Sequence, residues 1–162
     1  MGNDWTPAQK RAAAAIIATA IAIPCEGLRQ VAYDDTGGIL TDCYGHTGKD
    51  VVKGKVYSLY ECRQYLDADM NKAITIVDNC QPNLPPKVLA AFGDITYNEG
   101  PTAACNKAQS HAAKYLSSHD YASACKELPK WNKAKVAGVL VVLPGLTKRR
   151  NQEMQICLEG LS

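Results

Sequence analysis

Apolar and polar positions fall in blocks along this chain, and the blocks predict its elements. Residues 12–24 read AAAAIIATAIAIP behind Lys10 and Arg11, an uncharged run with no polar stripe. A surface helix shows such a stripe, so the run predicts a first core helix, N-capped by Thr6 with Pro7 in its first turn. Residues 33–54 are glycine-rich, with turn signals at 35–38 and 47–48. Alternation over 39–44 predicts a small twisted antiparallel sheet. Residues 58–79 form a long helix: Ser58 and Glu61 make a capping box. In it Leu59, Leu66, Met70, Ala73, Ile74 and Val77 recur at helical steps as the buried face. After a proline-rich break at 81–86, helices are predicted over 87–97, 102–116 and 121–128. Residues 132–145 read as less regular, and a final helix spans 146–158. No internal repeat is present. The class is α+β, mainly α: a helix, a small sheet lobe, a long helix and a helical lobe.

Length agrees with this plan, because 162 residues support one domain or two small lobes sharing a helix. Eight Tyr but one Phe leave a core that is aliphatic and alanine-rich. The net charge of +2 is spread thinly, and Lys148-Arg149-Arg150 is the one tight basic cluster. That excludes the basic stripe of a nucleic-acid binder and weakly favours a polyanionic partner such as a cell wall. Seven cysteines occur at positions 25, 43, 62, 80, 105, 125 and 157, with no CxxC pair. Zinc and thioredoxin-like readings therefore lack their spacing, and no cofactor or metal is implied. Disulfides in an oxidising compartment fit better, with one thiol left over.

Export changes the reading of the first helix. The uncharged run is shorter than the roughly 20 residues a spanning helix needs. Cleavage after Ala20-Ile21-Ala22 would leave Glu26 almost at the new terminus, so removal is not expected. Two readings stand: a core helix, or a weak uncleaved export anchor able to leave the membrane. The cysteines favour export.

The candidate chemistry lies just beyond. Glu26 follows the apolar helix, Asp35 sits nine residues later in a polar turn, and Thr41 follows on a strand. Glycoside hydrolysis uses one carboxyl kept protonated in a dry setting and a second, solvated one that assists water or the oxocarbenium-like transition state. A threonine hydroxyl can hold that water. Spacing alone is weak evidence, since two such acids are more often surface charges.

The motifs decide. E-G-L-R (26–29), Tyr33-x-Asp35, T-x-C-Y-G-H-T-G-K-D (41–50), E-C-x-x-x-L-x-x-D (61–69), Y-N-x-G (97–100), Trp131 and L-P-G-L-T-K-R-R-N-Q-E (143–153) occur in order. This series resembles the phage-type lysozymes, glycoside hydrolase family 24, and particularly their exported signal-anchor-release endolysin branch. The resemblance implies a lysozyme-like two-lobed fold over 1–162, divided into 1–25, 26–57, 58–80 and 81–162. It implies Glu26, Asp35 and Thr41 as catalytic residues, with Asp34 a decoy or helper. Arg149 aligns with an arginine facing the catalytic Glu, with Arg150 the runner-up. His46 and Asp69 are expected to pair and hold the small lobe to the long helix. Tyr33 and Asn98 are candidate substrate contacts, although Asn98 reads equally as a helix C-cap. Two departures stand out. Asp42 occupies a strand position that is usually apolar, and alternation points it away from the face of Thr41. Residues 132–142 differ from the usual glycine-containing hairpin, so the cleft there is expected to differ.

Cys62 and Cys80 bracket the long helix, about 27 Å apart at 1.5 Å per residue, and cannot pair. Cys43 on the sheet and Cys62 on the helix beneath it form a reasonable pair. Cys125 and Cys157 lie on helices that meet in the family's large lobe. Cys80 and Cys105 then remain by elimination. Cys25 is left beside Glu26, either a small buried hydrophobe or a regulatory thiol of the kind some exported endolysins use.

The implied activity is hydrolysis of the β-1,4 bond between N-acetylmuramic acid and N-acetylglucosamine in peptidoglycan, for host cell lysis. The alternatives are a catalytically silent wall-binding module, or a lytic transglycosylase or chitinase using the same Glu. The expected partners are peptidoglycan and, transiently, the inner membrane through residues 10–24. No nucleic acid is expected, and the protein is expected to be a monomer. The expected location is the periplasm, tethered before release, or else the host cytoplasm until a holin acts. Carboxyl groups ~6.5–9.5 Å apart mark an inverting enzyme and ~5 Å a retaining one.

Overall fold

A computed structural model describes residues 4–35 and 37–162; Thr36 of the turn at 35–38 lies outside the described residues. Helix α1 (Pro7–Glu26) starts at a complete capping box, in which Gln9 N donates to Thr6 Oγ1 and Thr6 N to Gln9 Oε1. Its face of Ala14, Ala18, Ile21 and Ala22 is buried, whereas Ile16 is 71% exposed. Apolar character all round thus did not mean burial all round. The buried face is mostly alanine, which lets α1 press closely on the helical core. Gly27, at φ +65°, ends the helix just past Glu26.

The chain then builds a three-stranded antiparallel sheet of β1 (Arg29–Asp34), β2 (Leu40–Cys43) and β3 (His46–Thr47), in that order. Tyr33 is opposite Thr41 and Thr41 opposite Thr47, while Asp42 is opposite His46. Residues directly opposite share a face, so Tyr33, Thr41 and Thr47 line one side of the sheet and Asp42 and His46 the other.

Helix α2 (Leu59–Cys80), capped by Ser58, joins the lobes. Its buried face runs from Cys62 through Leu66, Met70 and Ile74 to Val77, but Leu59 is mostly exposed in the first turn. Helix α3 (Pro86–Glu99) is buried continuously over 88–96. At Gly93 a Cβ would fall 2.2 Å from Ile74 Cδ1, so this glycine is what lets α2 and α3 close up.

One helix predicted over 102–116 is two, α4 (Thr102–Cys105) and α5 (His111–Ser117). The reason is local: Asn106 Oδ1 accepts from Ala108 N and Gln109 N, and Ser110 Oγ caps α5 through Ala113 N. Such side chains compete with the helix for backbone N–H groups. Helix α6 (Tyr121–Glu127) runs into a 3-10 turn (Leu128–Lys130). Residues predicted to be irregular form a hairpin, β4 (Lys133–Val136) and β5 (Val139–Val142). Its two-residue loop, Ala137-Gly138, has positive φ at both positions, which suits the twist of a tight hairpin. Helix α7 (Pro144–Glu159) closes the chain.

The core is aliphatic around a single phenylalanine, Phe92, with Leu66, Met70, Ile74, Leu89 and Ile95. Three disulfides are formed: Cys43–Cys62 ties β2 to α2, Cys80–Cys105 ties α2 to α4, and Cys125–Cys157 ties α6 to α7. The architecture is the mainly helical, two-lobed α+β arrangement predicted above. Among the described residues no helix is long and apolar enough to cross a membrane.

Candidate active site

Glu26 reaches the cleft because α1 ends there. Its side chain is one-fifth exposed, and Oε1 accepts a 2.6 Å hydrogen bond from Arg149 Nη1 on α7. On the other side, the position of a Cβ on Gly45 lies 3.3 Å from Glu26 Oε2; Gly45, at φ +80°, thus brings the small lobe's backbone up to the acid. Two open cavities share Glu26 and Asn98 as lining residues. One, of about 350 Å³, lies between Gly45 and Thr47 of the small lobe, Asp69 and Lys72 of α2, and Tyr97 of α3. The other, of about 1060 Å³, runs past Cys25 toward Gly145 and Lys148 at the start of α7.

Behind Glu26 is a buried ionic cluster. Asp94, fully buried on α3, accepts from Arg149 Nε and Nη2 at 2.8 Å each. Arg150, also fully buried, donates to Trp131 O, to Asn98 Oδ1 and to Glu153 Oε1. Glu153 Oε2 has no partner among the described residues. Burial, and then the neighbouring Asp94, push the Glu153 carboxyl well above the usual range, against the opposing Arg150. Arg149 thus presents a fixed cation to Glu26, and Arg150 fixes Asn98.

The small lobe is held by a second set of contacts. His46 Nδ1 lies 2.6 Å from Asp69 Oδ2 on α2, and Nε2 lies 3.0 Å from Asp50 Oδ1. Its ring stacks on Tyr65, with centroids 4.2 Å apart. Burial alone would lower the His46 pKa. Hydrogen bonds to Asp69 and Asp50 outweigh it and raise the value, favouring an imidazolium that donates from both nitrogens. Tyr97 Oη donates to Tyr44 O at 2.5 Å and so ties α3 to the sheet lobe.

Asp35 and Thr41 lie on the sheet lobe and line neither cavity. Asp35 Oδ1 accepts from Gly37 N and Ile39 N at 2.8 Å, which fixes the carboxyl in its turn. Thr41 is buried and donates to Ile39 O, on the face it shares with Thr47 of the cleft wall. Tyr33 shares that face, with the Arg29 guanidinium over its ring. Asp34, next to it, is exposed. Asp42 lies on the opposite face, but that face is covered, not solvated. The side chain is fully buried, and among the described residues both carboxylate oxygens lack a partner. Cys25 is the free cysteine; desolvation is the main reason its thiol pKa is raised.

Asp94, Glu153, Lys72 and Tyr97 belong to this neighbourhood, and sequence reasoning assigned them no role. Two of them carried a signal. An acid inside the otherwise apolar run 88–96 needs a buried cation, and Glu153 stands three and four residues after the two arginines on one helix.

Comparison with known proteins agrees in length and order. The family described as phage lysozyme matches residues 24–153. A SAR-endolysin of Bacteriophage PS119 is 34% identical over 139 residues, covering 83% of this chain and 77% of that protein. The solved endolysin from Escherichia coli O157:H7 phage FAHEc1 is 27% identical with a TM-score of 0.76, covering 98% of this chain and 97% of that one. The active form of P1 phage endolysin Lyz is 26% identical with a TM-score of 0.70, covering 90% and 85%.

Proposed function

The chain belongs to the phage lysozyme family, and from that premise we propose that Glu26 is the proton donor with which it cuts peptidoglycan. A lysozyme of this family is a glycoside hydrolase, a muramidase whose substrate is the bacterial wall. The bond cut is the β-1,4 link between N-acetylmuramic acid and N-acetylglucosamine. The observation that carries this reading is the partly exposed Glu26 carboxyl between two cavities, braced by Arg149. With a sugar chain filling the cleft, Glu26 donates its proton to the glycosidic oxygen.

Asp35 assists attack by water from the sheet side, and Thr41 orients that water. In support, Thr41 shares a face with the cleft-lining Thr47 and Asp35 lies just beyond the strand paired with it. Asn98 and Tyr33 contact the sugar or its peptide. His46, with Asp69, sets the lobe carrying Asp35 against α2. The segments 1–25, 26–57, 58–80 and 81–162 act as one unit.

The SAR-endolysin names of the relatives support export and membrane association before release, with residues 10–24 as the tether. The alanine face of α1 suits both states: it is only weakly apolar, and it packs closely once the helix is in the core.

The test is loss of turbidity of outer-membrane-permeabilised Gram-negative cells, with product ends identified by mass spectrometry. The wild type should release N-acetylmuramic acid reducing ends. Glu26→Gln should be inactive, and Asp35→Asn should fall about 10²–10⁴-fold. Clearing by Glu26→Gln would overturn the assignment of the acid, and 1,6-anhydro products from the wild type would replace hydrolysis by transglycosylation with the same Glu.

A further inference from the structure

The β4–β5 hairpin carries an apolar surface that the cleft does not use. Val136, Val139, Leu140 and Val142 are 51%, 62%, 62% and 54% exposed, and no residue of the hairpin lines either cavity beside Glu26. The register sorts it into two faces. Ala134 and Val141 oppose each other and are half-buried toward the body, whereas Lys133 opposes Val142 and Lys135 opposes Leu140 on the outward face. Val136 and Val139 oppose each other beside the Ala137-Gly138 loop, on the face of Ala134 and Val141 but exposed, so the tip is apolar on both faces.

Four large aliphatic side chains clustered in one exposed hairpin are more than the scattered apolar residues of an ordinary surface. The charge around them has one sign. No acid occurs between Glu127 and Glu153, a stretch holding Lys130, Lys133, Lys135 and Lys148 besides the two buried arginines. Lys130 is paired with Glu127, but among the described residues Lys133 and Lys135 make no salt bridge.

We propose that this hairpin docks the protein on an anionic phospholipid bilayer, with Val139 and Leu140 entering the headgroup region and Lys133 and Lys135 facing lipid phosphates. Each half of the pattern selects this partner. Lysines alone would suit any polyanion, including the carboxylates of peptidoglycan stems. Exposed valine and leucine gain nothing from sugar or peptide carboxylates, and gain from an apolar phase. A bilayer with anionic headgroups offers both, and juxtaposed lysines contribute there through the surface potential. The surface is separate from α1, so it leaves the protein a membrane contact once α1 is folded into the core.

The experiment is sedimentation of the folded full chain with vesicles of phosphatidylethanolamine and phosphatidylglycerol at 3:1, compared with phosphatidylcholine vesicles. Two variants, Val139→Ser/Leu140→Ser and Lys133→Glu/Lys135→Glu, change only exposed side chains; circular dichroism and turbidity clearing report that fold and hydrolysis are kept. The expected result is binding to the anionic vesicles alone, weakened about tenfold or more in each variant and by added salt. Equal binding by wild type and variants would assign the contact to α1 and overturn the proposal. Equal binding to phosphatidylcholine would overturn its electrostatic half. No vesicle binding, with hairpin-dependent association with sacculi or with a second copy of the chain, would replace the bilayer as the partner. None of these outcomes alters the turbidity result for Glu26.

Discussion

Asp94 holds Arg149 by two parallel hydrogen bonds of 2.8 Å, 55 residues apart in sequence and both side chains buried. The pair sits one contact behind Glu26, so a single arginine serves as both a structural ion and the partner of the proposed acid. Removing Asp94 leaves that arginine buried with less countercharge. Asp94→Ala should cost about 3–5 kcal/mol in a denaturant titration and reduce clearing activity in the fraction still folded. Asp94→Asn, which keeps one acceptor, should cost less.

The Glu153 carboxyl tells a different story. Burial and Asp94 disfavour its charged form, and one oxygen has no partner among the described residues, so Gln should replace it with little loss. Glu153→Gln should keep the thermal midpoint within a few degrees and leave the pH profile of activity in place. Glu153→Leu removes the acceptor of Arg150 Nη1 and should be strongly destabilised.

His46 makes the small lobe sensitive to pH. Its folded pKa is raised, so its contribution is complete below the unfolded value of about 6.5 and is lost as pH rises through the folded value. Asp50 has the mirror behaviour. Its pKa is lowered, chiefly by the His46 hydrogen bond, so its share is lost only as pH falls through that lowered value. Thermal midpoints should therefore decline above neutral pH, and Asp69→Asn should flatten that decline.

Asp42 runs the other way. Desolvation raises its pKa, opposed by His46 and Tyr57. Ionisation in the folded state therefore costs stability once pH exceeds the ordinary carboxyl value, and the cost eases as pH falls. Asp42→Val should stabilise by about 1–3 kcal/mol at pH 7, with a smaller gain at pH 4, by denaturant titration.

Cys25 lies beside the acid but is not activated. Desolvation raises its pKa against the opposing Arg149, so alkylation at pH 7.5 should be slower than that of a free thiol and should rise with pH. If the thiol controls release or activity, Cys25→Ser should shift the onset of lysis; an unchanged onset would end that reading.

Much of the fold was written in local patterns. The Thr6 and Ser58 caps, the periodic face of the long helix and the apolar run of α1 depend on neighbours within a few residues, and such physics can be read in order along a chain. The resemblance carried by the motifs added long-range expectations that spacing cannot supply, including an arginine facing Glu26. Other features needed the tertiary structure. Whether Asp42 faces water or protein depends on what covers the sheet. Whether residues 102–116 form one helix or two depends on Asn106 and Ser110 winning backbone N–H groups from the helix. That Asp94 and Glu153 stand behind the cleft depends on α3 and α7 crossing. Sequence alone set the local elements and the order of the chemical groups, because those follow from adjacent residues. Only the packing of helices far apart in the chain decided which charges lost their water and had to find one another.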